Sequence, residues 1–202
     1  MKTSIKIAVA ALVIASFGFE GCKKGPNDPF MSIHTRKGRV VGDWKVSAGS
    51  GTDSQTSPTS SSSWTFDGTT YSQTSGSSTT TSNLTLTMSF AKDGTYKTVT
   101  TATAVGYSDV TTESGTWNFT GKIGDDKNKD HIVMKTLSNV DVTTIGSSSS
   151  TSTNTYTGDD APTSLMYLDE LKNKEIIMTY DGTSANGSST STSKGSWTLT
   201  PQ

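Results

Sequence analysis

The feature that most constrains this chain is an alternation of period two that persists through segments built largely of serine and threonine. "LTLTMSF" puts Leu84, Leu86, Met88 and Phe90 on one side and Thr85, Thr87 and Ser89 on the other. "SWTF" repeats the pattern with Trp64 and Phe66, "TWNF" with Trp117 and Phe119, and "SWTL" with Trp197 and Leu199. "EIIMTY" places Ile176, Met178 and Tyr180 together. Successive side chains of a strand point to opposite faces, so this reads as antiparallel strands with one dry and one wet face. Threonine suits the wet face because its branched Cβ favours extended backbone.

From Val40 onward the spacing predicts roughly eight or nine strands: 39–48, 61–73, 80–91, 94–108, 112–121, 131–146, 150–158, 173–182 and 191–200. Residues 161–174 fit either a short helical turn or a further strand. Asp67-Gly68, Asp93-Gly94 and Asp181-Gly182 are turn signals beside apolar runs. Several strands run on into pure Ser/Thr/Gly, as in "GSSSSTSTN", which predicts long hairpins with projecting tips. Long strands with open edges invite intermolecular pairing, and closure into a barrel removes the edges. Only 30% of residues are hydrophobic, enough for one curved sheet with a single apolar face. The expected fold is therefore all-β, a closed antiparallel barrel.

The N-terminus reads as an export and anchoring signal. Lys2 and Lys6 precede an apolar run from Ile7 to Phe19, too short for a spanning helix, and Cys22 follows Gly21 directly. The segment resembles a bacterial lipoprotein signal, which implies cleavage before a lipidated Cys22 and a division into signal peptide 1–21, tether 22–38 and barrel 39–202. Phe19 and Glu20 depart from the usual residues before the cysteine. Cys22 is the only cysteine, so lipidation leaves the mature domain without disulfides or thiolate metal ligands. In the tether, Pro26 and Pro29 oppose a helix, and Lys23, Lys24, Arg36, Lys37 and Arg39 form a basic cluster for solvent or anionic lipid. Loss of residues 1–21 leaves 15 of the 17 basic and 17 of the 18 acidic side chains, a balance that gives no reason to bind nucleic acid.

Catalytic chemistry has little to rest on. His34 lies in the tether and His131 beside a charged loop, two lone histidines without metal-ligand spacing. Serine is abundant, but no Gly-x-Ser-x-Gly elbow or orienting base accompanies it. The adjacent carboxylates Asp125-Asp126, Asp159-Asp160 and Asp169-Glu170 would point to opposite faces of a strand, poor placement for joint acid–base work. "DDKNKD" has His131 where a calcium loop needs Gly and Leu137 where it needs Glu, so it reads as a solvated hairpin tip. No catalytic residue, metal or cofactor is expected.

"VVGDWKV", "SGTWNF" and "KGSWTLTP" carry a Gly-x-Trp three times, at Gly42–Trp44, Gly115–Trp117 and Gly195–Trp197. The first follows the tether. "MSFAKDGTYKT" leads into the second, and "LDELKNKEIIMTYDG" into the third. In this order the elements resemble lipocalin-like domain lipoproteins of the Bacteroidetes type, over most of residues 38–202. The Ser/Thr-rich stretches 49–63 and 145–155 depart from the compact family pattern. The resemblance implies an up-and-down barrel, often with an apolar cavity. Trp44, Leu86, Met88, Phe90, Trp117, Phe119, Met134, Met178 and Trp197 are then either cavity lining or core, with core packing favoured. One expectation is a membrane-anchored, non-catalytic protein that binds a small hydrophobic molecule at the periplasmic face of the outer membrane. The other is an envelope module whose Ser/Thr tips contact glycan or protein.

Overall fold

The computed structural model describes residue 28 and residues 34–126 and 130–202. Cys22, the signal peptide and most of the tether lie outside the described residues. A short helix α1 (Arg36–Val40) leads into β1 (Gly42–Thr56), β2 (Thr59–Phe66), β3 (Thr70–Ser75), β4 (Ser78–Phe90), β5 (Thr95–Ala104) and β6 (Tyr107–Phe119). Then come β7 (His131–Ile145), β8 (Ser148–Thr155), a 3-10 turn (Gly158–Asp160), β9 (Thr163–Leu171), β10 (Ile176–Asn186) and β11 (Ser189–Pro201).

All pairings are antiparallel. They close a cycle of ten strands, with β8 outside it. The wall changes with height. At the base β1 pairs directly with β4, Trp44 opposite Met88, so eight strands close the barrel there. Higher up the β2–β3 hairpin wedges between them, β1 taking β2 from Gly49 and β4 taking β3 from Asn83. The stretch 61–73, expected as one strand, is thus two, broken at Asp67-Gly68. Strand β9 takes the open alternative within 161–174, below β8 and on the same side of β7. Asp181-Gly182, expected as a turn, lies inside β10 opposite Lys194 and Ser193. The ladder there continues because the actual tip is Gly187-Ser188, whose glycine has φ 60°. Such a left-handed residue is what a two-residue hairpin needs.

The base holds the apolar core. Trp44, Val46, Met88, Phe90, Trp117, Ile132, Leu168, Leu171, Ile176, Met178 and Leu199 are all buried. Strand β1 keeps Trp44 and Val46 inward. A bulge between Val46 and Ala48 then reverses its faces, so that Gly49, Gly51, Asp53 and Gln55 look in above. Strand β7 does the same: Ile132 and Met134 face in, and the extra Leu137 turns Val140 and Val142 outward. A bulge inserts one residue on one strand, and that is enough to flip every side chain beyond it.

Helix α1 plugs the base. Thr35 caps it, its Oγ1 accepting the Gly38 N–H at 3.0 Å. Val40 is fully buried, and its carbonyl accepts the Trp44 indole N–H at 2.8 Å. Arg36 and Arg39, expected in a basic tether, are buried instead. The Arg36 guanidinium meets Asp28 at 2.6 Å and Asp130 at 3.7 Å. Arg39 meets Asp28 at 3.2 Å and donates to the Leu171 carbonyl. Asp28 also accepts the Leu171 N–H at 3.1 Å. The loop after β6, expected as a solvated tip, therefore contributes the buried Asp130 to the base. Burial lowers the Arg36 pKa, against the opposing pull of Asp28 and Asp130.

Candidate functional site

Antiparallel hairpins put the tips of β1–β2, β3–β4, β5–β6, β7–β8 and β10–β11 at the end opposite α1. Inward registers change chemistry along the way. On β4 and β5, Phe90 faces Tyr96, but Met88 and Leu86 face Thr98 and Thr100. Across β5–β6 these threonines meet Glu113 and Thr111, and Ala102 meets Asp109. Across β6–β7, Thr111 meets Asp141 and Asp109 meets Thr143. On β1, Asp53 stands between Ser62 and Ser193.

Each inward carboxylate accepts a hydroxyl proton. Ser193 donates to Asp53 at 2.5 Å, Thr143 to Asp109 at 2.6 Å, Thr111 to Asp141 at 2.7 Å and Tyr96 to Glu113 at 2.5 Å. The lysines of these strands, Lys45, Lys97, Lys135 and Lys194, hold outward registers. The upper interior is thus hydroxyl and carboxylate without a cation among its described residues. It opens into a cavity of about 460 Å³ bounded by Asp53, Gln55, Ser60, Ser62, Ser184 and Ser193. A shallower recess of about 680 Å³ lies against the tips, beside Thr56, Thr59 and Gly76.

The apolar candidates from the sequence lie below this cup and pack on one another. Trp117 stands edge-on to Phe90 at 5.5 Å and to Phe119 at 5.7 Å, its indole N–H bonded to the Ala91 carbonyl at 3.1 Å. It lies opposite Met134. Leu86, Met88 and Phe90 line β4, and Trp44 and Met178 belong to the same core. Trp197 is half-buried and stacks on Trp64 at 4.4 Å, with Phe66 edge-on at 6.2 Å. The site candidates drawn from the sequence leave out Trp64, Tyr71, Tyr96 and Tyr180, although the alternation already puts Trp64 beside Phe66 and Tyr180 beside Met178 on one strand face. The missed signal is the pair Gly49 and Gly51 on alternate positions of β1. A Cβ at Gly51 would fall 2.5 Å from Trp64 Nε1, and one at Gly49 would collide with the Trp197 ring.

The Gly-x-Trp repeat has the same physics in two of its copies. Gly42 opens β1, but Gly115 sits late in β6 and Gly195 midway along β11, away from any strand entry. Tyr96 lies directly opposite Gly115, and Tyr180 directly opposite Gly195. A Cβ would come within 2.9 Å of Tyr96 Cε1 in the first case and 2.6 Å of the Tyr180 hydroxyl in the second. Each glycine leaves room for a cross-strand tyrosine ring to lie over the strand, and the tryptophan two residues on packs beneath.

No family model, curated protein or solved structure matches this chain. The functional reading therefore rests on the site itself.

Tyr96 gives the site a pH dependence. Its hydroxyl bonds Glu113 and lies 3.1 Å from Thr136, and burial first, then the Glu113 bond, raises its pKa above the ordinary 10.0. The protonated form is favoured in the fold while the unfolded chain ionises near the ordinary value. This stability is complete below pH 10.0 and is lost as pH rises towards the raised folded value. Urea unfolding midpoints should fall steeply above that pH, and Tyr96→Phe should flatten the fall. Parallel slopes in the two proteins would refute the assignment.

Proposed function

We propose that this protein is a non-catalytic, membrane-anchored envelope barrel that binds a hydroxyl-rich polar ligand, a glycan by class, in the cup at its open end. The observation that carries the reading is the change of lining with height, from packed aromatic and aliphatic side chains to serine, threonine and carboxylate. Hydroxyls and carboxylates offer dense, adaptable hydrogen bonding, and a neutral or cationic polyol meets no like charge there. A hydrophobic ligand has weaker support, because Trp44, Met88, Trp117 and Met178 are in contact with one another in the core rather than around the cavities.

Titration against a panel of neutral and amino-sugar oligosaccharides tests this. Binding is expected in the full chain and should be lost in Asp53→Ala/Gln55→Ala, with the melting temperature retained. A lipid that co-purifies in native mass spectrometry, with no saccharide bound, would reverse the assignment.

The anchor sets orientation. Five residues lie between Cys22 and Asp28, six steps of chain that reach at most about 22 Å when extended. Asp28 is fastened to the base, so a lipid on Cys22 holds the base near the membrane and turns the cup away from it. The expected address is the outer membrane of a bacterial envelope, on the periplasmic face. Cys22→Ala should move the protein from the membrane to the soluble fraction, and unchanged fractionation would remove the anchor from the proposal.

A further inference from the structure

Strand β8 has one neighbour among the described residues. Ser148–Thr155 pairs with Ile145–Ser138 of β7, and no strand among the described residues pairs with its other side. Its two-residue hairpin closes on Ile145 and Ser148, which makes that pair and every second one the hydrogen-bonded pairs. The N–H and C=O groups of Ser149, Thr151, Thr153 and Thr155 therefore point away from β7. All eight residues of β8 are exposed.

Exposed edges of this length are usually guarded by charge, proline or a bulge. Strand β8 has none of these: "SSSTSTNT" is neutral and its register with β7 is unbroken. The contrast with β10 is instructive. Above Thr179 its edge is also open, but that stretch carries Asp181, ion-paired to Lys194 at 2.9 Å, and Gly182.

The occupant is indicated by how this sheet holds itself together. Towards the tips of β1–β2, β3–β4 and β10–β11, Ser and Thr pair with Ser and Thr, as in Ser54 with Ser61, Thr74 with Thr79 and Ser184 with Ser191, and β7–β8 has one such pair in Thr144 with Ser149. Hydroxyls meet across two of these ladders, at 2.9 Å for Thr74–Thr79 and 2.9 Å for Thr144–Ser149. On its paired side β8 meets a mixed segment of β7 that includes Val140, Asp141, Val142 and Ile145, but β8 itself is a neutral Ser/Thr strand of the kind that pairs with its like at the other tips. Antiparallel self-pairing brings no like charges together and uses the same surface on both partners.

We propose that β8 is a docking edge for a second copy of the chain, the two β8 strands pairing antiparallel about a two-fold axis. The pairing turns the two barrels in opposite directions, base beside tips. Copies held side by side in one membrane face by a short tether do not form it; copies on facing surfaces, or released from the membrane, do. The inference does not depend on what the cup binds.

The test is the mass of the purified full chain in mild detergent, by light scattering across a wide range of concentration. A concentration-dependent dimer is expected. Thr151→Pro removes only an N–H that faces away from β7, and Thr153→Lys sets like charges against each other across the two-fold. Both variants should be monomeric, with circular dichroism and melting unchanged. A wild-type chain that stays monomeric overturns the proposal, as does a folded Thr151→Pro variant that still dimerises. Protection of the Thr151 and Thr153 amides from exchange in the monomer also overturns it, since that would mean β8 closes on β10 of its own barrel.

Discussion

Gly115→Ala should destabilise the barrel by about 3 kcal/mol, at the upper end of what overpacking costs. The reason is the rigidity of what the new methyl meets. It would collide with the Lys135 carbonyl of β7 and approach Tyr96 Cε1 to 2.9 Å. The carbonyl belongs to the ladder beside the Leu137 bulge, so it moves only if that ladder is distorted. Gly195→Ala places its methyl against Tyr180, a half-buried side chain that can swing, and should cost nearer 1 kcal/mol. Tyr180→Ala should remove most of the added cost of that methyl in a double-mutant cycle. Gly121→Ala has nothing within 4 Å of its new methyl and serves as the control, expected within about 0.5 kcal/mol of wild type. Urea midpoints measured at equal slope decide the order. If Gly115→Ala unfolds no earlier than Gly121→Ala, the account of the Gly-x-Trp glycines as space for tyrosine rings is wrong.

Asp28→Ala should cost about 3–5 kcal/mol, because removing one partner of a buried ion pair strands the other. Here it leaves Arg36 to the more distant Asp130 and Arg39 to the Leu171 carbonyl, with both guanidiniums almost fully enclosed. It also releases the Leu171 N–H at the end of β9. The loss should be local before it is global: the Leu171 amide should exchange faster and α1 should leave the base, while tip amides change little. Replacing Arg36 and Arg39 by Met in the same chain should recover much of the loss, since well-packed apolar residues can stand in for a buried ion network. A variant with wild-type melting and unchanged Leu171 exchange would mean that Asp28 does not lock the base.

Much of the fold was legible because alternation is a local property. The runs around Leu84–Phe90 and Ile176–Tyr180 separate apolar from polar so cleanly that their inward faces could be assigned directly, and the structure buries Leu86, Met88, Phe90, Ile176 and Met178 there. Elsewhere the local signal misleads. Val110 and Val142 pair with each other on the outer face, while Asp109 and Asp141 look inward. A reader applying hydrophobicity alone would invert that part of the wall. The bulge at Leu137 is invisible as a motif, yet it sets the face of everything after it in β7.

The sequence by itself determined that the chain from Val40 onward is mostly strand, that runs such as Leu84–Phe90 and Ile176–Met178 turn an apolar face to the core, and that the outer ends of most of its hairpins are hydroxyl-rich. Those follow from side-chain parity and turn chemistry, both read within a few residues. Only the tertiary structure decided that eight strands close the base while the β2–β3 hairpin splits the wall above it. It alone placed Asp28 between two arginines and left β8 without a second strand partner among the described residues. Strands that are polar on both faces carry no hydrophobic record of their register or of their partners. Contacts between residues as distant as Asp28 and Leu171 are settled when the barrel closes, not by the sequence around either residue.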